Sequence, residues 1–344
     1  MKYTILPNTD INVSKLCLGT MTWGQQNTET EGHQQLDMAL EKGVNFIDTA
    51  EMYPIPARKE TQGNTEKIIG TWLQKTGNRD KIVLASKIAG PGRAMAHIRS
   101  NLDFSKAAIT EALELSLQRL NTDYLDLYQL HWPERNSNYF GKRGYKKDDE
   151  EEWQDNFSEI LSCLDEIIKS GKVRHIGLSN ESPYGVMRCL EEARKGSPKI
   201  ITVQNPYSLL NRKDEIGLTE IYHRENIGLL PYSPLGMGTL TGKYLNNMPE
   251  NARLTLFPQY SRYSNEQSLE ATKRYYSIAE KYGLIPGQMA LAFVEQQPFV
   301  SSTIIGATSL KQLEENIESI NLQLSVEVLQ EIDAVHEAIP NPAP

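Results

Sequence analysis

The amino-acid sequence predicts an α/β protein built as a (β/α)8 TIM barrel, with an N-terminal β-hairpin and extra C-terminal helices. Short apolar runs alternate with longer amphipathic stretches along almost all of the 344 residues. Eight of these runs have the length and composition of strands. Strands separated by helices form parallel sheets, and eight of them close a barrel. Because no Pro-, Ser- or Gly-rich linker divides the chain, we expect one barrel domain over residues 1–344.

A doubly wound open sheet is the competing architecture for such an alternation. Its usual marker is GxGxxG directly after the first strand. In this sequence Met21-Thr22-Trp23-Gly24 stands at that place. The barrel is therefore the favoured prediction.

The individual elements follow from local patterns. Residues 3–13 predict a hairpin that covers the bottom of the barrel, because two short segments flank the turn-forming Pro7-Asn8-Thr9-Asp10. Gly43 and Gly171 stand where two helices end, and Pro183 stands where another begins. The strands are predicted at residues 16–20, 45–50, 82–88, 124–131, 173–180, 201–207, 227–235 and 301–308. The helices are predicted at residues 29–42, 64–75, 105–120, 157–169, 183–195, 214–225, 265–282, 286–297, 309–319 and 325–338.

Residues 133–157 form a long polar segment with a basic run followed by an acidic run. A solvated surface loop is the simpler interpretation of this composition. The alternative is a lid over the carboxyl end of the barrel, where the long loops of barrels cluster.

Composition excludes several classes of partner. The chain has 36 basic and 44 acidic residues, hence a net charge of −8, which disfavours nucleic acid. It has no apolar run of the ~18 residues that a membrane span needs, and its first 20 residues lack the pattern of a secretory signal. We therefore expect a cytoplasmic protein without a membrane partner. Cys17, Cys163 and Cys189 have no metal-binding or disulfide spacing, and we predict no metal site.

Polar residues stand at the predicted carboxyl ends of the strands, where barrels have their active sites. Asp48, Lys87 and His131 end three consecutive strands, and Tyr53 follows Asp48 by five residues. A phenol has a pKa near ~10, so it needs a neighbouring cation to transfer a proton readily. We expect Lys87 to lower the pKa of Tyr53, with Asp48 holding Lys87 and His131 orienting a carbonyl. Taken singly, each residue also fits a structural role.

Glycines follow the seventh predicted strand. The segment 233–243 matches neither GxGxxG nor a Walker A loop, but its glycines permit close approach to a phosphate. Gly306-Ala307-Thr308 follows the eighth strand and precedes a helix whose N-terminus favours an anion. The alternative is a pair of open loops without a ligand.

Several segments together resemble the aldo-keto reductases, from the N-terminal hairpin to the last helices. Within that family, the chain is also similar to the branch that contains the β-subunits of voltage-gated potassium channels. The segments that carry the resemblance are FIDTAEMY (46–53), ASK (85–87), LYQLHWP (127–133), GLSN (177–180), VQNPYSLLNR (203–212), PYSPLGMGTLTGKY (231–244) and IIGAT (304–308).

The resemblance implies an NADPH-dependent reductase of aldehydes and ketones on a (β/α)8 barrel. Tyr53 matches the proton donor of the family, with Asp48, Lys87 and His131 as its partners. Around the nicotinamide, Thr20 and Trp23 match pocket positions, Ser179, Asn180 and Gln204 match the residues that hold the carboxamide, and Tyr232 matches the stacking aromatic. The positions that match the phosphate and adenosine contacts are Ser233, Pro234, Leu235, Gly236, Met237, Gly238, Thr239, Leu240, Lys243, Arg262, Gly306, Ala307, Thr308, Gln312, Glu315 and Asn316.

One departure concerns the cofactor. Many family members carry Lys and Arg where this sequence has Gly306 and Gln312, and those charges hold the 2′-phosphate of NADPH. Here Arg262, Lys311 or the Thr308 hydroxyl has to take that role. NADPH is favoured, and NADH is the alternative.

Two other functions compete with carbonyl reduction. One is a cofactor-sensing binding module with slow turnover, like the channel subunits. The other is an aldolase or isomerase barrel that uses Lys87 as a Schiff base or as an acid–base group. Trp23, Tyr53, Trp132 and the 133–157 segment suggest an aromatic pocket for a small carbonyl substrate. The sequence indicates neither the oligomeric state nor the particular substrate.

Overall fold

The computed structural model describes residues 1–92 and 95–344. The chain begins with an antiparallel hairpin of β1 (Tyr3–Ile5) and β2 (Asn12–Ser14). Eight parallel strands follow in one sheet, ordered β10-β3-β4-β5-β6-β7-β8-β9. They are β3 (Leu16–Gly19), β4 (Phe46–Asp48), β5 (Val83–Ile88), β6 (Leu125–Leu130), β7 (Val173–Ser179), β8 (Thr202–Gln204), β9 (Gly228–Leu229) and β10 (Thr303–Ile305).

Backbone hydrogen bonds connect the two ends of this sheet. The Ser301 N–H donates to the Leu229 carbonyl and the Ile304 N–H donates to the Pro231 carbonyl, each over 2.9 Å. Residues around β9 and β10 are thereby joined, so the sheet curls around on itself. The predicted barrel architecture and the hairpin are confirmed.

Helices alternate with the strands as the sequence predicts. Side-chain caps explain several helix starts: Thr28 forms a capping box with Glu31, and Ser105 and Asn265 each accept from a backbone N–H of the first turn. The helices are α1 (Glu29–Glu41), α2 (Asn64–Thr76), α3 (Lys106–Leu120), α4 (Phe157–Lys169), α5 (Pro183–Arg194), α6 (Leu218–Glu225), α7 (Arg253–Leu256), α8 (Glu266–Lys281), α9 (Pro286–Glu295), α10 (Leu310–Glu318) and α11 (Val326–Ala338). Within the described residues, no helix is long and apolar enough to cross a membrane.

Some boundaries differ from the prediction. The helix expected at 214–225 is divided at Gly217. This residue has a non-helical φ of −152°, and it separates the 3-10 turn Lys213–Ile216 from α6. Strands β8 and β9 are shorter than expected, because Pro206 and Pro231 have no N–H to donate to a neighbouring strand. The short helix α7 lies in a region for which the sequence predicts no element.

The hairpin closes the amino end of the barrel. Leu6, Ile11 and Val13 are buried in one cluster with inward-facing residues of the strands, including Cys17 and Phe46. The outer faces of the strands pack against the helices in the main core, as in other barrels. Apolar packing therefore fills the amino end and the interior, and the carboxyl end is left for a ligand.

Candidate active site

The carboxyl ends of the strands surround a cavity of about 1300 Å³. This exceeds the roughly 300–1000 Å³ that is usual for one drug-sized ligand. Its wall contains nearly all of the strand-end residues that the sequence singles out, from Thr20 and Asp48 to Thr308. The volume fits a large ligand together with a small one.

Asp48 lines the base of this cavity, and Lys87 is buried behind it. Asp48 ends β4, and Lys87 lies on β5, two residues beyond Ala85, the register partner of Asp48. The Lys87 Nζ donates to Asp48 Oδ2 over 2.6 Å and to the Thr49 carbonyl over 2.7 Å. Burial lowers the pKa of the Lys87 ammonium, but the Asp48 carboxylate, Tyr53 and Cys17 together outweigh this and the net direction is upward. Lys87 is therefore a buried cation with a fixed position.

The second carboxylate oxygen of Asp48 is also satisfied. Asp48 Oδ1 accepts from Gln204 Nε2 over 2.9 Å and from Gln129 Nε2 over 3.3 Å. Sequence reasoning did not identify Gln129, although it precedes His131 by two residues and so belongs to the same face of the strand. These two amides fix the orientation of Asp48 and hence that of Lys87.

Tyr53 lies in the loop after β4, beside this ion pair. The Lys87 Nζ is 5.0 Å from the centroid of the Tyr53 ring. Burial raises the pKa of the Tyr53 phenol, and the Lys87 ammonium opposes that shift without cancelling it. Lys87 thus acts on the pKa of Tyr53 in the expected direction, but burial has the larger effect and the net direction is upward. The phenol remains protonated at neutral pH and is suited to donate a proton.

His131 faces Tyr53 across the cavity base. Their ring centroids are 5.7 Å apart in an edge-to-face arrangement. Burial, together with the Lys87 ammonium, lowers the pKa of His131 well below its usual value, so the imidazole is neutral at pH 7. Its Nδ1 is buried and has no hydrogen-bond partner within the described part of the chain. A neutral imidazole can hydrogen-bond to a ligand oxygen without adding charge.

The residues predicted around a nicotinamide form a connected polar group in the cavity wall. Tyr232 donates from its hydroxyl to Asn180 Oδ1 over 2.6 Å. Asn180 Nδ2 donates to the His131 carbonyl over 2.9 Å and to Ser179 Oγ over 3.1 Å. Gln204 and Thr20 also line the cavity. The amide and hydroxyl groups of this wall match the hydrogen-bonding needs of a carboxamide.

The glycine-rich segment after β9 folds as the sequence suggests. Met237 and Gly238 have φ values of +55° and +93° inside the 3-10 segment Gly236–Thr241. The φ of Gly238 is in the left-handed region that favours glycine, and the Lys243 side chain packs directly against this residue. Ser233, Pro234, Leu235, Met237, Gly238 and Lys243 line the cavity, whereas Gly236, Thr239 and Leu240 are buried behind its wall.

The loop after β10 forms the opposite wall. Gln312 Oε1 accepts from the Thr308 N–H over 3.0 Å and from Thr308 Oγ1 over 3.1 Å. Gly306, Ala307, Glu315 and Asn316 complete this wall. Lys311 is 85% exposed, lies 3.8 Å from Glu315 and is not part of the cavity wall. Of the cations considered for a 2′-phosphate, only Arg262 therefore faces the cavity.

Lys243 and Arg262 both contribute positive charge to the wall. Within residues 1–92 and 95–344, neither forms an ion pair with a carboxylate. Together with the glycine-rich segment, two such cations suit the phosphates of a dinucleotide. Across those same ranges, no group of three or more His, Cys, Asp or Glu side chains is arranged to hold a metal ion.

Two tryptophans do not occupy the predicted pocket. Trp23 is fully buried and donates from Nε1 to Gln35 Oε1 over 3.2 Å. Trp132 packs against His131, and its Nε1 donates to the Pro91 carbonyl over 3.0 Å. Both are buried and neither lines the cavity, so they belong to the packing around the site.

Other residues line the cavity without a signal in the sequence. Phe140, Gly141 and Arg143 from the 133–157 segment reach its rim, and most of residues 141–152 are exposed. The Arg143 guanidinium donates to the Pro342 carbonyl over 2.7 Å, which joins this segment to residues 342–344. Arg253 and Tyr260 also line the cavity. A lid role for 133–157 stays a prediction.

Comparison with known proteins supplies the family. A model described as "Aldo/keto reductase family" matches residues 15–337. Protein tas of Escherichia coli (strain K12) is 52% identical over 100% of this chain and 100% of its own length. A Babesia bovis aldo-keto reductase is 40% identical over 74% of this chain and 96% of its own. The uncharacterized oxidoreductase YrpG of Bacillus subtilis (strain 168) is 31% identical over 97% of this chain and 96% of its own. The chain belongs to the aldo/keto reductase family, whose members are oxidoreductases that act on carbonyl compounds.

Proposed function

We propose that this protein reduces aldehydes or ketones to alcohols with NADPH, and that Tyr53 protonates the carbonyl oxygen. The observation that carries this proposal is the Tyr53 phenol in the cavity wall, next to the neutral His131 imidazole and in front of the buried Lys87 ammonium. The dinucleotide supplies the hydride when it is bound. Every other part of the reaction depends on side chains of the chain itself.

Each residue of the group has a separate task. Tyr53 donates its proton to the oxygen as negative charge develops there. The Lys87 ammonium stabilises the phenolate that remains, because it is held nearby by Asp48. His131 hydrogen-bonds to the same carbonyl oxygen and orients it, since its ring lies in the cavity wall 5.7 Å from the Tyr53 ring. The group thus protonates and positions the oxygen in one step.

The cavity wall also supports the cofactor assignment. Ser179, Asn180 and Gln204 hold the carboxamide of the nicotinamide, and Tyr232 stacks against its ring. Lys243, Arg262 and the segment 233–241 bind the phosphates. The 2′-phosphate of NADPH binds Arg262, because Arg262 faces the cavity and Lys311 does not. NADPH is therefore preferred, and NADH is the alternative.

The experiment is a screen of small aldehydes and ketones with NADPH and NADH, followed by the Tyr53→Phe variant. We expect this variant to lose roughly 100-fold or more in kcat with the best substrate, the usual contribution of a general acid. The affinity for NADPH should remain within about 2-fold, because the phenol hydroxyl is not one of the proposed cofactor contacts. Tyr139→Phe, a tyrosine of the 133–157 segment outside the cavity wall, is the control and should retain activity.

Equal turnover by Tyr53→Phe and the parent protein would overturn the assignment of the proton donor. The channel-like alternative, a binding module, makes a different prediction. A binding module would transfer one hydride rapidly from each bound cofactor and would then form almost no further product. Comparing single-turnover with steady-state rates separates the two functions. Trapping of a carbonyl substrate on Lys87 by borohydride would instead support a Schiff-base enzyme.

A further inference from the structure

Gln129 on β6 is fully buried and lies behind the residues of the cavity wall. Its side chain contacts two residues of the candidate site. Gln129 Nε2 donates to Asp48 Oδ1 over 3.3 Å, and Gln129 Oε1 accepts from Gln204 Nε2 over 3.3 Å. Because Gln129 does not line the cavity, any effect that it has on a bound molecule passes through these two neighbours.

The orientation of the Gln204 amide follows from its contact with Asp48. The Asp48 carboxylate is paired with the Lys87 ammonium, and a carboxylate only accepts hydrogen bonds. Gln204 therefore directs Nε2 toward Asp48 Oδ1, to which it donates over 2.9 Å. The reverse orientation would place Gln204 Oε1 against a carboxylate oxygen, and two acceptors would then face each other without a proton between them.

Both hydrogens of Gln204 Nε2 are thereby used, one by Asp48 and one by Gln129. Two hydrogen bonds from one NH2 group fix the plane of the amide, whereas a single bond leaves the amide free to rotate about it. Gln204 lines the cavity, and its Oε1 accepts no hydrogen bond from residues 1–92 or 95–344. Gln204 therefore presents an acceptor of fixed direction to a ligand.

The neighbouring side chains of this wall are already engaged with each other. Asn180 Oδ1 accepts from the Tyr232 hydroxyl, and Asn180 Nδ2 donates to Ser179 Oγ and to the His131 carbonyl. The Ser179 hydroxyl donates to the main-chain carbonyl of Gln204 over 2.9 Å. Among these side chains, Gln204 Oε1 is the oxygen that contacts within the described part of the chain leave free.

On the basis of the proposed function, we propose that Gln129 is a positioning residue for the nicotinamide carboxamide. It fixes the plane of the Gln204 amide, so that Gln204 Oε1 accepts from an N–H of the carboxamide when the dinucleotide is bound. Because Gln129 also donates to Asp48, it joins the Asp48–Lys87 pair to the cofactor side of the cavity. The site thereby selects a dinucleotide whose ring substituent carries an N–H donor.

The test compares dinucleotides that differ in this donor, with binding as the readout. NADP⁺ carries the carboxamide, its 3-acetylpyridine analogue has a methyl group in place of the NH2, and its thionicotinamide analogue keeps the NH2. We expect the parent protein to bind the acetylpyridine analogue roughly 5- to 10-fold more weakly than NADP⁺, which is the usual net effect of one hydrogen bond. Calorimetric titration of the oxidised compounds gives the Kd values without turnover.

Gln129→Met removes both hydrogen bonds and keeps the length of the side chain. We expect it to reduce the preference for NADP⁺ over the acetylpyridine analogue to less than about 2-fold, because only NADP⁺ loses a contact. The thionicotinamide analogue should weaken in parallel with NADP⁺. Gln129→Glu keeps an acceptor for Gln204 and should retain the preference. Gln35→Met removes another buried amide, on α1 and outside the cavity wall, and should behave like the parent protein.

A second variant covers the case in which Gln129→Met does not fold. Gln129→Asn stays polar but is shorter by one methylene group, so it no longer reaches Gln204 and should show the same loss of preference. An unchanged preference in the folded variant would overturn the proposal. A parent protein that binds NADP⁺ and the acetylpyridine analogue equally well would overturn it too.

Failure of the proposed function gives a different result. If the parent protein binds neither NADP⁺ nor NAD⁺, the proposed function fails. The contact of Gln129 with Gln204 is then tested by urea unfolding of Gln129→Met, Gln204→Met and the double variant. Losses of stability that do not add would uphold the positioning of Gln204 by Gln129, and additive losses would overturn it.

Discussion

The Lys87 ammonium and the Asp48 carboxylate form an ion pair over 2.6 Å, with side-chain exposures of 0% and 4%. Adjacent parallel strands bring them together at the base of the cavity. A buried pair of this kind contributes little net stability, but loss of one partner leaves an uncompensated charge.

Asp48→Asn is therefore expected to lower the free energy of unfolding by about 3–5 kcal/mol. Adding Lys87→Met should restore part of that loss, because the buried charge is then gone. Urea unfolding of both single variants and the double variant measures the coupling. If the losses in unfolding free energy of the two single variants simply add in the double variant, Asp48 and Lys87 do not stabilise each other as a buried ion pair.

Glu51 and Arg99 form a second buried pair next to the Tyr53 loop. The Glu51 carboxylate accepts from Arg99 Nε and Nη2 over 3.0 Å each, and from the Ala89 N–H over 2.6 Å. Burial raises the pKa of Glu51 even with Arg99 present. When the pKa of a carboxyl group is higher in the folded than in the unfolded protein, its contribution to stability is complete at a pH below the unfolded pKa. That contribution is lost as the pH rises through the folded pKa.

Arg99→Met should therefore steepen the loss of stability with rising pH above ~4.3, the ordinary pKa of glutamate. A further Glu51→Gln substitution should flatten that slope again. Unfolding measured at pH 5, 6, 7 and 8 tests this prediction. A slope that is the same in Arg99→Met and in the parent protein would refute it.

Glu295 on α9 offers a pH effect outside the cavity. Burial raises its pKa to about 7, although Ser319 donates a hydrogen bond to it over 2.8 Å. The folded state holds the proton more tightly than the unfolded state, so stability falls between the unfolded pKa and about pH 7. Glu295→Gln keeps an acceptor for Ser319 and removes this titration.

We expect Glu295→Gln to be more stable than the parent protein at pH 8, by about 1–3 kcal/mol, and to differ little at pH 5. Glu327→Gln, at the exposed start of α11, is the comparison and should not show this stabilisation. An equal effect of Glu295→Gln at both pH values would mean that the carboxyl group does not titrate in this range.

The cofactor preference can be increased at Gln312. This side chain lines the cavity and accepts two hydrogen bonds from Thr308, at the position where the family resemblance implies arginine. Gln312→Arg adds a cation at the wall predicted to bind the adenosine end. We expect the ratio of NADPH to NADH in kcat/KM to rise about 10-fold, the effect of one charge-assisted contact. Gln312→Glu should lower that ratio, and a rise in both variants would contradict the assignment.

Most of the architecture was predictable because its signals are local. Helix starts such as Thr28 and Ser105 carry their own capping groups, and glycines mark several helix ends. Errors arose where one residue interrupts a regular pattern. Gly217 divides a predicted helix, and Pro206 and Pro231 shorten two strands, since neither proline donates to the sheet.

The proposed catalytic group was also accessible from sequence, for a topological reason. Parallel strands all end at the same edge, so residues at consecutive ends become neighbours whatever their separation in the chain. Asp48, Lys87 and His131 follow this rule. Gln129 was not predicted as a site residue, because it lies inside a strand and not at its end. Only the folded protein shows that its amide donates a hydrogen bond to Asp48.

The sequence by itself determined the barrel, its hairpin and the place of the candidate site. The alternation of apolar strands with amphipathic helices, and the polar residues at the strand ends, are local patterns in the sequence. The tertiary structure decided which aromatic residues line the cavity, because it buries Trp23 and places Phe140 at the rim. It also decided that burial outweighs Lys87 in setting the pKa of Tyr53. These properties depend on distances and desolvation among segments far apart in the chain, which no local pattern contains.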